Sequence, residues 1–215
     1  MKNVKVYQLD VTQFEENQYF QKHYGMLSKE RQAKIDAYRV ENARRLSLGA
    51  GIILDQGLQK YGLRERDVKI KYGENGKPYL EDNPDIYFNL SHSGNMVLAV
   101  FSNAEVGCDI EEVGKSQEKL AERFFCPSEY EYLMEIKDER ERCEEFYRIW
   151  TLKESFMKVT GLGMKLALDS FCFGFGEPVT IQQQVSKDDY EFQELEFTDK
   201  REIKYKAAIC RCVKK

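Results

Sequence analysis

The chain has 215 residues, and its content of 42% hydrophobic and 13% aromatic residues excludes an intrinsically disordered protein. Its 33 basic and 37 acidic side chains leave a net charge of −4, which argues against a general nucleic-acid binder. No apolar run approaches the ~18 residues of a membrane span, and residues 1–5 lack the apolar segment of a signal peptide. We therefore expect a cytoplasmic protein of one large or two small domains, with no nucleic-acid or membrane partner.

The cysteines favour reduced thiols over disulfides, because the sequence shows no signal peptide. None of them forms a C-x-x-C pair and the chain has 2 histidines, so no zinc site is predicted. The six positions are Cys108, Cys126, Cys143, Cys172, Cys210 and Cys212.

The first half of the chain combines short strands with one long helix. Alternating apolar residues predict a strand over 2–9, and Ser28 is placed to cap a polar, basic helix. Apolar residues that recur at intervals of three and four predict a long helix over 41–61, which Gly62 ends. The remaining predicted elements are a strand over 68–72, a turn over 73–78, and strands over 86–90 and 96–101.

The second half repeats this combination after a polar break at 102–104. A strand over 106–110 is followed by predicted helices over 119–125, 128–136 and 139–160. The predicted strands that follow cover 170–175, 179–185, 190–197 and 203–212. The order of elements predicts an α+β protein made of two related halves, 1–103 and 104–215.

Asp109 and Glu111 form the first candidate site. Side chains alternate between the two faces of a strand, so both carboxylates point the same way while Cys108 and Ile110 face the core. Two close carboxylates repel each other unless a cation lies between them, and Mg²⁺ prefers oxygen ligands of this kind. The alternative is a solvated strand end with two surface acids.

The second candidate lies on the helix over 139–160, where Glu154 and Lys158 are four residues apart on the flank of an apolar sector. An ordinary helical ion pair is the alternative interpretation of this spacing. Lys153 falls inside the apolar sector, so its charge must reach solvent or find a buried partner.

The third candidate is the segment Ser91-His92-Ser93, which directly follows an apolar strand. Two hydroxyls and an imidazole at a strand end suit a phosphate group. A nucleophilic Ser–His pair is a poor alternative, because adjacent side chains of an extended segment point apart. The other interpretation is a histidine whose ring is simply hydrogen-bonded within a turn.

The fourth candidate is basic. Arg31 and Lys34 precede the first long helix, Arg45 lies inside it, and Lys77 with Pro78 stands on a turn. A solvated helix face is the usual interpretation of such a run of charges. We therefore treat these positions as candidate phosphate ligands only in combination with the motifs above.

Taken together and in this order, the motifs are far more specific than any one alone. The segments N-L-S-H-S at 89–93, G-C-D-I-E at 107–111 and W-T-L-K-E-S at 150–155 resemble the motif series of 4′-phosphopantetheinyl transferases. The segment 76–78 and the region of Arg45 fit the same series, and the similarity extends over about 28–164. The chain is most similar to the long, surfactin-synthetase-activating type of this family.

The resemblance implies two similar halves, each a small antiparallel sheet packed on a long helix, related by a pseudo-twofold axis in a monomer. It implies transfer of phosphopantetheine from coenzyme A to a serine of a carrier protein, which leaves adenosine 3′,5′-bisphosphate. Carrier proteins are commonly acidic, and we expect the carrier to dock at the cleft between the halves. A coenzyme A-binding module without catalysis and a Mg²⁺-dependent nucleotide phosphohydrolase are the alternatives.

The resemblance also implies roles for the candidate residues. Asp109, Glu111 and Glu154 would hold Mg²⁺, and Glu154 or a water that it binds would deprotonate the attacking serine. The catalytic set is Asp109, His92, Glu154 and Lys158, and the residues expected to bind coenzyme A are Arg31, Lys34, Arg45, Lys77, Pro78, Ser91, His92 and Lys158. Family members often carry lysines just before the first long helix, where they bind the 3′-phosphate of coenzyme A. In this chain Arg31 and Lys34 are the nearest substitutes, and Leu46, directly after Arg45, offers no hydroxyl.

Overall fold

The structure is a computed structural model that describes residue 1 and residues 3–213. Residue 2, where the first predicted strand begins, and residues 214 and 215 of the second half lie outside the described part. The elements up to residue 103 are β1 (Val4–Asp10), α1 (Asn17–Tyr24), α2 (Lys29–Ala37), α3 (Glu41–Gln59), β2 (Ile70–Tyr72), β3 (Pro78–Leu80), β4 (Tyr87–Ser93) and β5 (Met96–Ser102).

The elements that follow begin with the strand of the first candidate site. They are β6 (Val106–Glu112), α4 (Glu118–Phe124), α5 (Pro127–Glu135), α6 (Glu139–Thr160), β7 (Cys172–Gly174), β8 (Thr180–Gln182), β9 (Asp189–Thr198) and β10 (Lys204–Val213). Small antiparallel sheets and helices together confirm the predicted α+β class. Within the described residues, no helix is both long and apolar enough to span a membrane.

Two three-stranded antiparallel sheets form the framework, with strand orders β1-β5-β4 and β6-β10-β9. A cluster of buried side chains from β5, β6 and β10 joins the sheets, among them Leu98, Ile110 and Ile209. Next to this cluster, the backbone N–H of Cys108 in β6 donates to Oδ1 of Asn89 in β4 at 2.9 Å. The two strands that carry the candidate residues are therefore held side by side.

Each sheet packs on a long helix, because the apolar sectors predicted from the sequence are buried. Ile53, Leu54 and Leu58 of α3 join the core beneath β5, and Leu152 and Phe156 of α6 join a core beneath β10. Helix α6 has the predicted bounds, whereas α3 ends two residues before the predicted end of its helix. The division at 103 and 104 and the pseudo-twofold relation stay predictions.

Gly107 brings β6 and α6 into close contact. A Cβ atom at this position would lie 2.2 Å from the carbonyl oxygen of Ser155 and 2.4 Å from the backbone nitrogen of Val159. Because real Cβ atoms do not approach backbone so closely, only a glycine fits between the strand and the helix. This contact sets Asp109 of β6 beside the last turns of α6.

Some sequence expectations differ from the structure. Helix α1 and strand β3 were not predicted, because α1 is mostly polar and exposed and β3 is three residues long. Strand β4 runs on through Ser93, so Ser91 and His92 lie within a strand instead of after one. The extension is stabilised by pairing with β5, where His92 is opposite Val97.

The expectation that all cysteines are reduced is wrong for one pair. Cys126 at the start of α5 and Cys172 in β7 form a disulfide, with Cα atoms 5.8 Å apart. This separation lies within the range that a disulfide spans. The fold brings together two residues that are 46 positions apart, which the spacing of cysteines alone does not reveal. Cys108, Cys143 and Cys210 are buried free thiols, as expected.

Candidate active site

Asp109 is the centre of a polar cluster between β4, β6 and α6. Its Oδ1 accepts a hydrogen bond from Nζ of Lys158 at 2.6 Å and from Oγ of Ser91 at 2.8 Å. The residue is 3% exposed, and its Oδ2 is buried without a hydrogen-bond partner among the described residues. One carboxylate oxygen is therefore already bound, and the other is desolvated and available.

Glu111 and Glu154 complete this group, which we call the carboxylate centre (Asp109, Glu111, Glu154 and Lys158). Burial raises the pKa of Glu111 to about 7, with a further contribution from the charge of Asp109. Burial also raises the pKa of Glu154, again followed by the charge of Asp109. The strand parity predicted for Asp109 and Glu111 agrees with this arrangement, since Cys108 and Ile110 are buried in the core between the sheets.

Lys158 is the cation of the carboxylate centre. Burial is the largest single influence and acts to lower its pKa, but the charge and hydrogen bond of Asp109, together with smaller contributions from Cys108 and Glu154, raise the pKa overall. Its Nζ also donates to Oγ of Ser91 at 2.9 Å. The ion pair of Lys158 is with Asp109 of β6 instead of Glu154, so the ordinary helical pair that the spacing of Glu154 and Lys158 allows is not the one formed.

Ser93 also belongs to this network, in a role toward Glu111 that the sequence argument did not give it. Its Oγ donates to Oε2 of Glu111 at 2.8 Å and accepts from the backbone N–H of Glu112 at 3.1 Å. Ser91 and Ser93 share one face of β4, which explains why both reach carboxylates of β6. Their two-residue spacing in the N-L-S-H-S segment was a signal for this role, once β4 is known to continue past residue 90.

His92 points away from the two serines, as alternation along a strand requires. It lines a cavity of about 260 Å³ together with Phe88 and Leu90 of β4, Pro78, and residues of α2 and α3. We call it the cation-lined cavity, and the polar residues among its lining are Arg31, Lys34, Tyr38, Ser47, Tyr72 and His92. The structure thus gathers Arg31, Lys34, Pro78 and His92, four of the residues predicted to bind coenzyme A.

The cations of this cavity lack a full set of acidic partners. Arg31 is paired through Nε with the buried Glu65 at 3.5 Å. The pKa of Lys34 is lowered by burial and then by the charge of Arg31. Burial lowers the pKa of His92, and the charge of Lys158 lowers it further. A bound anion would stabilise the positively charged forms of Lys34 and His92.

Of the other four predicted coenzyme A ligands, Ser91 and Lys158 lie at the carboxylate centre, and Lys77 and Arg45 are directed elsewhere. Nζ of Lys77 binds Oε2 of Glu105 at 2.5 Å and the carbonyl oxygen of Val159 at 3.0 Å, so its amine joins the turn to the end of α6. Arg45 is not part of the cavity lining, and its Nη2 donates to Asn42 at 3.4 Å. Glu105, which fixes Lys77, lies just before β6 and had no motif to mark it.

Lys153 finds a buried partner, which is one of the two outcomes that the sequence allowed. Its Nζ lies 2.7 Å from Oε2 of Glu129, and both side chains are fully buried. The same ammonium donates to the carbonyl oxygens of Leu168 and Phe171 at 2.8 and 2.9 Å. This ion pair anchors α6, the helix that also carries Glu154 and Lys158.

Comparison with known proteins gives the class of this protein. The model of the 4′-phosphopantetheinyl transferase superfamily matches residues 105–210, and the model of the 4′-phosphopantetheinyl transferase N-terminal region matches residues 15–104. The chain belongs to this family. The prediction of an enzyme that moves the phosphopantetheine arm of coenzyme A to a carrier protein is thereby confirmed.

Among individual relatives, the chain is similar to the 4′-phosphopantetheinyl transferase Sfp of Bacillus subtilis, with 38% identity over 73% of this chain and 69% of that protein. It is 34% identical to the 4′-phosphopantetheinyl transferase psf-1 of Bacillus pumilus, over 86% of this chain and 78% of that one. The 4′-phosphopantetheinyl transferase gsp of Aneurinibacillus migulanus is 33% identical over 75% and 67% of the two chains. These relatives confirm the resemblance to the long type.

Proposed function

We propose that the carboxylate centre is where the chain carries out a Mg²⁺-dependent transfer of phosphopantetheine, with adenosine 3′,5′-bisphosphate as the second product. Asp109, Glu111 and Glu154 would hold the metal. The observation that carries this proposal is Oδ2 of Asp109, a buried carboxylate oxygen without a partner in the described part of the chain. Such an oxygen is costly unless a cation or donor binds it.

The residues present fit a hard divalent cation. No group of three His, Cys, Asp or Glu side chains is already arranged to hold a metal within the described residues. The charges of Asp109 and Glu154 nonetheless contribute to the raised pKa of Glu111, which shows that the three carboxylates repel one another. A divalent ion relieves this repulsion, and Mg²⁺ accepts one or two carboxylates together with substrate phosphates. When bound, it polarises the phosphoryl oxygens and offsets their negative charge.

The reaction breaks one phosphoanhydride bond and forms one phosphoester bond. The serine Oγ of the carrier attacks the phosphorus next to the pantetheine arm, and adenosine 3′,5′-bisphosphate leaves with the bridging oxygen. The serine proton passes to the carboxylate of Glu154, or to a water that this carboxylate binds. Burial and Asp109 raise the pKa of Glu154 towards the range in which a carboxylate is an effective base.

Lys158 would contact the phosphates of coenzyme A. Its ammonium is fixed by Asp109 and by Ser91, so it is positioned before the substrate arrives. Phosphoryl transfer depends mainly on positioning and on neutralising charge, and a cation held in this way serves both. His92, Arg31 and Lys34 would bind the second anionic part of coenzyme A in the cation-lined cavity.

The remaining expectations belong to the same proposal. We expect the enzyme to act as a monomer in the cytoplasm, with a carrier protein as its macromolecular partner and no nucleic-acid partner. The acidic nature of common carriers and the net charge of −4 on this chain require that contact be made through a local basic or apolar surface.

The test is incubation with coenzyme A, Mg²⁺ and a panel of apo carrier proteins, followed by intact mass spectrometry. We expect a mass gain of one phosphopantetheine on at least one carrier, its loss on adding a chelator, and its loss in Asp109→Ala. No gain on any carrier would overturn the transfer reaction, and release of phosphate from coenzyme A without a carrier would indicate a hydrolase. Asp109→Ala with full Mg²⁺-dependent activity would overturn the assignment of the metal site.

A further inference from the structure

Three buried polar residues meet at the turn between β4 and β5. Oη of Tyr205 accepts a hydrogen bond from the backbone N–H of Asn95 at 3.1 Å, and donates its own proton to Oδ2 of Asp199 at 3.2 Å or to Oε2 of Glu112 at 3.3 Å. Nδ2 of Asn95 donates to the same Oδ2 of Asp199 at 3.1 Å. We call this group the tyrosine triad (Asn95, Asp199 and Tyr205), and all three residues are buried.

The tyrosine triad joins segments that are far apart in the sequence. Tyr205 lies in β10, Asp199 follows β9, and Asn95 lies between β4 and β5. Asp199 is fixed by its own turn, because its Oδ1 accepts the backbone N–H groups of Arg201 and Ile203 at 2.9 and 3.0 Å. The triad therefore fastens the β4–β5 end of one three-stranded sheet to the other sheet.

The turn that the triad holds leaves no free space beside Tyr205. Gly94, between Ser93 and Asn95, has a positive φ of 53°. A Cβ atom at this position would lie 2.0 Å from Oε2 of Glu112 and 2.5 Å from Oη of Tyr205. The turn is therefore packed directly against the hydroxyl of Tyr205 and the end of β6, so its position depends on both.

Ser93 connects this turn to the carboxylate centre. Its Oγ donates to Oε2 of Glu111 at 2.8 Å and accepts from the backbone N–H of Glu112 at 3.1 Å. The strand orders place β4 and β6 in different sheets, so side-chain bonds of this kind hold the two strands in register. Tyr205 is opposite Glu112 in the pairing of β10 with β6, and its hydroxyl thus holds the turn beside the strand that carries Glu111.

We propose that Tyr205 is a positioning residue for Glu111, because its hydroxyl holds the turn after β4 in the place from which Ser93 orients that carboxylate. The inference rests on the proposed function for the role of Glu111 as a metal ligand. It differs from a purely structural role in one respect, since a hydroxyl kept only for stability could be removed from a folded protein without changing the affinity for a divalent ion.

The experiment measures the Kd of Mn²⁺ by electron paramagnetic resonance in the parent and in Tyr205→Phe, which keeps the ring and removes the hydroxyl. We expect the Kd to rise about fivefold, less than the roughly 10–100-fold effect of a group that contacts the metal ligand itself, because Tyr205 acts through Ser93. In the Ser93→Ala background the same change should alter the Kd by less than about twofold, because residues that act through one network are not additive. Circular dichroism shows whether each variant is folded at the temperature of the measurement.

The matched control is Tyr190→Phe, which removes a tyrosine hydroxyl from the same three-stranded sheet. The hydroxyl of Tyr190 in β9 is hydrogen-bonded to Oγ of Ser186 at 3.0 Å, so both changes break a hydrogen bond of a tyrosine. The control should leave the Kd of Mn²⁺ unchanged. If Tyr205→Phe does not fold, Asn95→Ala decides, because it breaks the bond of the turn to Asp199; a raised Kd supports the proposal and an unchanged Kd overturns it.

The outcomes separate this proposal from the proposed function. An unchanged Kd in folded Tyr205→Phe, or full additivity of this change with Ser93→Ala, would overturn the role of Tyr205 and leave the metal site intact. A parent that binds no Mn²⁺ would instead overturn the metal site of the proposed function, and the role of Tyr205 with it.

Discussion

The carboxylate centre and the cation-lined cavity lie on opposite faces of β4 and differ in how far their polar groups satisfy one another. In the centre, Asp109, Ser91 and Lys158 are already linked by hydrogen bonds of 2.6–2.9 Å. In the cavity, Lys34 is free of acidic partners among the described residues and the hydroxyl of Ser47 is unpartnered. Asp109, Ser91 and Lys158 are thus fixed by one another, with Oδ2 of Asp109 left unpartnered, whereas the polar groups that line the cavity are less connected.

We infer from this difference that the carboxylate centre serves the reaction and the cavity serves binding. Groups that react must be positioned before the transition state, so the protein itself holds them. Groups that only bind an unreactive part of the substrate can remain unpaired until that part arrives. Changes in the centre should therefore act mainly on kcat, and changes in the cavity mainly on KM.

The largest effect is expected for Glu154→Gln, which keeps the shape of the side chain and removes the base. We expect kcat to fall by about 10²–10⁴-fold, the usual contribution of general base catalysis. Coenzyme A should still bind, as measured by calorimetry, because the residues proposed to bind it lie outside position 154. A variant with full activity would remove Glu154 from the reaction, and tight binding without turnover in the parent would favour a binding module.

Glu129→Gln tests the buried ion pair with Lys153, which anchors the helix that carries Glu154 and Lys158. The change breaks the buried ion pair with Lys153 and leaves an unbalanced ammonium, so we expect unfolding to become easier by about 3–5 kcal/mol. Denaturant titration measures the loss. The double variant Glu129→Gln, Lys153→Met has no buried charge and should recover part of it; no recovery would mean that the carboxylate acts through its bonds to the backbone of Cys126 and Phe173.

Ser93→Ala removes the hydroxyl that orients Glu111. Loss of such a supporting bond weakens metal binding by roughly 10–100-fold, so the apparent affinity for Mg²⁺ should fall while the KM for coenzyme A changes little. Mn²⁺ binding followed by electron paramagnetic resonance gives a readout independent of activity. Ser93→Thr keeps the hydroxyl and should restore affinity, and equal Mn²⁺ binding in all three proteins would contradict the role.

The smallest effect is expected in the cavity, for Lys34→Gln. Removing one cation from a partly exposed phosphate site should raise the KM for coenzyme A roughly fivefold, with kcat nearly constant. Lys29→Gln is the matched control on the same helix, because Lys29 is exposed and contacts Gln32 instead of the cavity. A drop in kcat without a change in KM would contradict the division between the two sites.

Residues whose positions depend on local periodicity could be predicted from the sequence. The parity of β6 gave the shared face of Asp109 and Glu111, and the helical repeat gave the bounds of α6. Contacts between distant segments could not be predicted in this way. The amine of Lys77 is bound by Glu105 and Val159, Ser93 supports Glu111, and Cys126 meets Cys172, because the tertiary fold brings these partners together.

Strand β4 has a consequence for how the protein tolerates change. Its odd-numbered serines face the carboxylates and its even-numbered residues, Phe88, Leu90 and His92, line the cavity. An insertion or deletion of one residue within β4 would invert this alternation beyond the change and exchange the two sets of side chains. Both sites would then fail together, whereas a two-residue change would preserve the alternation. The length of β4 can thus change only in steps of two residues if both sites are to be kept, whichever amino acids occupy the strand.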